Sequence, residues 1–153
     1  MSRSRGIYGS NLRVDRYEPS RHHVVLTRAL ASRIRRTRYG VIHGMSVWSV
    51  DGAAVRSELD LDFTIGGNPA RYLYVPNGEI WVESWLSPVD AAATMVHEWT
   101  ETRAMHLGET YSKAHDRADR AESAFRAELR AHPSYVRGYR AAVRAASVWI
   151  GAS

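Results

Sequence analysis

Apolar residues recur at helical spacing in four stretches of the chain, and a region of shorter period separates the first from the rest. Over 21–37, Val25, Leu26, Ala29, Leu30, Ala31 and Ile34 form a stripe. This predicts a helix capped by Ser20 and closed by Tyr39-Gly40. Residues 41–84 read as strands. Val41-Ile42-His43 is a short one, and Val47 to Val50 meets the turn signal Asp51-Gly52, with a partner strand through Ala54-Val55-Arg56. Leu59 to Phe63 alternates apolar and acidic residues. Gly66-Gly67-Asn68-Pro69 breaks the chain. Arg71–Pro76 and Glu79–Glu83 then flank Asn77-Gly78, the strongest hairpin signal in the sequence. On the second of these strands Ile80 and Val82 face one way, Trp81 and Glu83 the other.

The remaining three stretches are helical. Ser87, Pro88 and Asp90 supply an N-cap, a first-turn proline and a capping box, and Gly108 suits the residue after the C-cap. A helix over Pro88–Leu107 follows, with Val89, Ala92, Ala93, Val96, Trp99 and Leu107 on its apolar arc. A second opens near Thr110 or Ser112 and runs to Ala131, before Pro133, with Tyr111, Ala114, Ala118, Ala121, Phe125 and Leu129 on one face. A last helix covers Ser134–Trp149. The fold expected is α+β: a small, mainly antiparallel sheet packed on a helical pair, with an N-terminal and a C-terminal helix. At 153 residues the chain suits one domain. The expectation is a basic, irregular arm over 1–20 and a single domain over 21–153, its core between about 50 and 131.

Composition narrows the chemistry. The absence of cysteine removes disulfides, thiol nucleophiles and thiolate metal sites together, so any metal must be held by His, Asp or Glu. The net charge of +5 is uneven: residues 1–38 hold ten Arg against Asp15 and Glu18. Such a region can meet nucleic acid or an acidic partner, though no aromatic residues are spaced there for base stacking. No run is long and apolar enough for a membrane span, and Met1–Gly6 leads into no apolar stretch. The expectation is a cytoplasmic or particle-associated protein without a secretory signal or a membrane partner.

The chemistry concentrates on the helical pair. His97 and Glu101 stand four residues apart, about 40° around a helix, so both can reach one ion. On the next helix His115, Asp119 and Glu122 make a second stripe beside the apolar arc. The short connection at Gly108 makes the two helices neighbours, so the stripes can meet at their seam. Two histidines and a glutamate are a known zinc ligand set, which His97, Glu101 and His115 supply. Glu122 or Asp119 then stands behind the ligands or substitutes for one. His106 is about 13 Å from His97 along the helix axis and cannot join them. His22-His23 and His43 lack partners at ligand spacing. Asp60 and Asp62 share a strand face that reads as a solvated edge.

Val96-His97-Glu98-Trp99-Thr100-Glu101, preceded by the strand Glu79–Glu83, resembles the core of zincin-type metallopeptidases. Tyr111-Ser112-Lys113-Ala114-His115, extended to Glu122, resembles the second half of small zincin-like proteins of phages and prophages. The likeness covers about residues 50–122. It implies zinc, with His97 as a ligand and Glu98 as the general base acting on a metal-bound water. It also implies a substrate cleft along Glu79–Glu83, where a peptide or protein substrate could add as a strand. The departure is Glu101, where the pattern has histidine. Tyr111 and Arg103 are the candidates for stabilising an oxyanion. The function expected is therefore that of a zinc-dependent hydrolase of the peptidase type. The alternative is a non-catalytic phage structural or adaptor protein, in which the zincin-like part is a scaffold and the Arg-rich region binds nucleic acid or another subunit.

Overall fold

The computed structural model describes residues 26–152. The arm over 1–20, the cap at Ser20 and His22-His23 lie outside them. Within this range the fold is α+β, with five α-helices and a four-stranded mixed sheet.

The first helix, α1, spans Arg28–Ile34, shorter than the stripe suggests. Thr27 caps it, its hydroxyl accepting from Leu30 N at 3.1 Å. The chain becomes strand at Arg35, because the apolar stripe ends at Ile34 and the next residues pair with a neighbour. That strand, β1 (Arg35–Ile42), forms a hairpin with β2 (Met45–Val50), and Tyr39-Gly40 lies inside it. The hairpin turn is His43-Gly44, with φ of 42° and 87°. Two consecutive left-handed residues match the twist of the strands, and histidine tolerates that region better than most side chains.

Asp51-Gly52 is not a turn. Asp51 is the N-cap of α2 (Gly52–Glu58), its Oδ1 accepting from Ala54 N at 3.1 Å, so residues 54–56 are helical. The same residue types serve turns and caps, and here the cap prevails. Residues 59–63 are turns rather than a strand. Asp60 Oδ1 accepts from Asp62 N, and Leu61 is 81% exposed while Phe63 is buried. Beyond them lie the two-residue strand β3 (Gly66–Gly67) and β4 (Glu79–Glu83). Residues 71–76 are not the strand expected. They form turns that bury Tyr72, Tyr74 and Val75.

The sheet order is β1-β2-β4-β3. The two outer pairings are antiparallel, but β2 and β4 run parallel, with α2 and the irregular segment forming the crossover. Alternation along the strands separates two cores. Ile42, Val47, Ile80 and Val82 face α3 (Pro88–His106), α4 (Tyr111–Ala131) and α5 (Tyr139–Ala152). On the other face Val50 and Trp81 pack with Leu30, Ile34, Val55, Phe63, Tyr72 and Tyr74. α3 and α4 begin and end within a residue or two of the expected positions, with Ser87 and Thr110 as caps and Gly108 at φ 98°. The last expected helix is split: Pro133–Val136 is a 3₁₀ turn and α5 starts at Tyr139.

α3 is buried on nearly every side. Ala91 to Val96 are all buried, and so are Glu98, Glu101 and Thr102. Alanine lets its backbone lie close to the sheet on one side and to α4 and α5 on another. The expected arc therefore understates its burial, except at Val89 and Leu107, which are exposed.

Candidate metal centre

The turn at Gly108 folds α4 back along α3. Later residues of α3 meet earlier residues of α4: Glu101 reaches His115, and His97 reaches Glu122. The helices are antiparallel and the two expected stripes face each other. His97, Glu101 and His115 each offer a ligand atom, and these lie within 4.8 Å of one another. The same holds for His97, Asp119 and Glu122. Among the described residues these are the two groups that converge in this way. Asp60 and Asp62 do not, and their shared strand face does not exist.

Glu101 Oε2 lies 2.8 Å from His115 Nδ1 and 3.5 Å from His97 Nε2. Ligands of a tetrahedral zinc stand about 3.4 Å apart, given metal–ligand bonds of roughly 2.0–2.2 Å. The two spacings to Glu101 bracket that value and all three donor atoms lie within 4.8 Å of one another, so the donor set can close on the ion. The outer nitrogens also have partners. His97 Nδ1 lies 3.1 Å from Glu122 Oε2 and 3.4 Å from Asp119 Oδ1, and His115 Nε2 lies 3.6 Å from Asp119 Oδ2. Each histidine thus turns one nitrogen to Glu101 and the other to a carboxylate behind it, as metal-ligating histidines do. Arg126 holds Glu122 in turn, 3.0 Å from its Oε1, and also reaches Asp90 Oδ1 at 2.8 Å.

Glu98 is buried, with 8% exposure. The segment carrying β3 covers that flank of α3. A Cβ on Gly66 would fall 2.6 Å from Glu98 Oε1, so only glycine lets β3 pass this close. Burial, then the charge of Glu101, push Glu98 up to about 7. Burial would raise Glu101 as well, but hydrogen bonds from His115 and His97 hold it well below the usual carboxylate range. For His97, burial acts against the charged form. Glu101 and Glu122 outweigh it and raise the imidazole to about 10. His115 is raised chiefly by its bond to Glu101, and Glu122 is lowered chiefly by its bond to His97.

Asn68 was read as part of a turn. It is fully buried and donates through Nδ2 to Glu98 Oε2 at 2.7 Å and to Glu101 Oε1 at 3.1 Å. No sequence pattern connects an asparagine to carboxylates 30 and 33 positions later. Arg71, three residues on, carries no such sequence signal either. Its guanidinium lies 4.4 Å from the ring centroid of Tyr111, and that ring stacks on His115. Of the two oxyanion candidates, Tyr111 therefore stands at the cluster. Arg103 lines a separate hollow with Trp99, Leu107 and Arg117. Strand addition onto β4 is closed at Trp81 and Val82, because β3 pairs there; the outer edge of β3 is the edge of the sheet.

Among the basic residues of 28–38, Arg33, Arg35 and Arg36 pair with Glu58, Glu79 and Asp51. Their charge is already engaged within the fold. No helix among the described residues is long and apolar enough to cross a membrane. No protein-family model, curated protein or solved structure matches the chain.

Proposed function

We propose that the protein is a zinc-dependent hydrolase of the peptidase type, with His97, Glu101 and His115 as the metal ligands and Glu98 as the general base. One observation carries this reading: two histidines and a glutamate from separate helices converge within 4.8 Å, with a second, buried glutamate adjoining them. Glu122 and Asp119 orient the histidines from behind. Zinc, when bound, would supply Lewis acidity toward water and a substrate carbonyl.

The chain's own part is proton movement. A carboxylate oxygen of Glu98 takes one proton from a water molecule as the water oxygen bonds to the carbonyl carbon. As the carbon–nitrogen bond breaks, Glu98 returns that proton to the departing amine, leaving a carboxylic acid and an amine. Tyr111 adjoins His115 and can donate to the oxygen that becomes negative. His115 is 40% exposed and Asp119 56% exposed at their side chains, so a substrate would approach from that side.

Metal analysis of protein purified without a histidine tag tests the centre. About one zinc per chain is expected, lost in His97→Ala and in His115→Ala. Zinc-free wild-type protein that takes up none would end the metal reading. Glu98→Gln should keep the zinc and lower peptide hydrolysis by about 10²–10⁴-fold. A variant that binds zinc and hydrolyses peptides as well as wild type would remove Glu98 from its role. Zinc binding without hydrolysis of any member of a peptide library would leave the ion as a structural staple of a non-catalytic protein.

A further inference from the structure

The two oxygens of Glu101 face different groups. Oε2 faces both histidines, while Oε1 accepts from Asn68 Nδ2. The same nitrogen donates to Glu98 Oε2. Asn68 Oδ1 accepts from the backbone N–H groups of Ala70 and Arg71, each at 3.0 Å. Those two donors fix which end of the amide is oxygen. An amide nitrogen has two N–H groups, and here each has its own carboxylate.

We propose that Asn68 is a positioning residue that gives the two glutamates of the motif separate tasks. By tying Glu101 Oε1 it leaves only Oε2 for the ion, which keeps a coordination position open for a ligand. By tying Glu98 Oε2 it holds that carboxylate back from the metal, so that Glu98 is kept for proton transfer rather than ligation. This rests on the metal reading above. It also accounts for a carboxylate where the peptidase pattern has histidine, since a metal-bound imidazole has no further acceptor to offer the amide. The turn-forming role of Asn68 uses Oδ1 and the positioning role uses Nδ2. Asn68→Asp therefore keeps the first and deletes the second.

The test loads wild type, Asn68→Asp and Asn68→Ala with cobalt(II), records the visible spectrum and titrates acetohydroxamate. Wild type should bind one cobalt and shift its spectrum as hydroxamate occupies the open position. Both variants should still bind cobalt, with an altered spectrum before hydroxamate is added and an affinity for it lower by about tenfold or more. An unchanged spectrum together with unchanged hydroxamate affinity in both variants overturns the proposal. Wild type that binds no cobalt overturns the metal reading beneath it instead. A measurement on wild type alone covers variants that do not fold. In ¹⁵N-labelled, zinc-loaded protein the side-chain amide protons of Asn68 should remain protected from solvent exchange; rapid exchange overturns the proposal.

Discussion

Each ring nitrogen of His97 faces a carboxylate, and this makes the metal-free centre a proton store. Glu101 and Glu122 raise His97 from 6.5 to about 10, so the charged imidazole stabilises the fold fully below pH 6.5. That contribution is lost as pH rises toward 10. Glu98, raised from 4.5 to about 7, acts in the same direction: folding favours its protonated form, and the benefit disappears as pH rises through 7. Glu101 and Glu122 are depressed, so their contributions are present above pH 4.5 and fade as acid protonates them. Chelator-treated protein should therefore lose thermal stability between pH 6.5 and 9, and His97→Gln should flatten that decline. On the proposed reading zinc would compete with the same protons, so the rise in Tm on adding zinc should grow with pH. A variant that declines as steeply as wild type would show that His97 is not the source.

At the scale of elements, α3 and α4 were legible in the sequence because caps, periodicity and the glycine stop all point the same way. The seam between them followed, and with it His97, Glu101 and His115. The region between β2 and β4 was misread because its signals are shared between structures. Asp51-Gly52 serves a turn or a helix start equally well, and Leu59 to Phe63 alternates without being a strand. Tyr72 and Tyr74 alternate too, yet they are buried by ring packing rather than by strand pairing. Asn68 was invisible for a further reason: its partners lie on a helix that only tertiary packing brings near.

The start of α2 can be tested directly. Asp51→Ala removes a cap and should cost about 1 kcal/mol. Glycine to alanine inside a helix normally stabilises by about 1 kcal/mol. Gly52→Ala should instead destabilise, because its Cβ would fall 1.5 Å from Glu83 Oε2, the carboxylate whose other oxygen accepts from Gly52 N. Thermal or urea denaturation of both variants measures this, and a stabilised Gly52→Ala would contradict the placement of Glu83 over the helix start.

At the scale of the whole molecule, the centre lies where the two cores meet. The histidines and glutamates stand on helices anchored in the larger core, which includes Phe125 against Trp149. Asn68 arrives on a segment held by the smaller core: Phe63 lies 3.1 Å from where a Cβ on Gly67 would stand, and its ring also contacts Tyr72. Both phenylalanines are buried to 1% exposure, so truncating either to alanine should cost about 3–5 kcal/mol. Their effects on the centre should differ. Phe125 supports the far end of α4, beyond Glu122, and its loss should leave zinc affinity near the wild-type value in protein that remains folded. Phe63 sets the path of Gly66-Gly67-Asn68 across Glu98, so Phe63→Ala should weaken hydroxamate binding to the loaded protein as well as stability. Denaturation midpoints measured beside zinc and hydroxamate titrations separate the two effects. Equal losses of ligand binding in both variants would mean that the centre responds only to overall stability, and that the smaller core does not shape it.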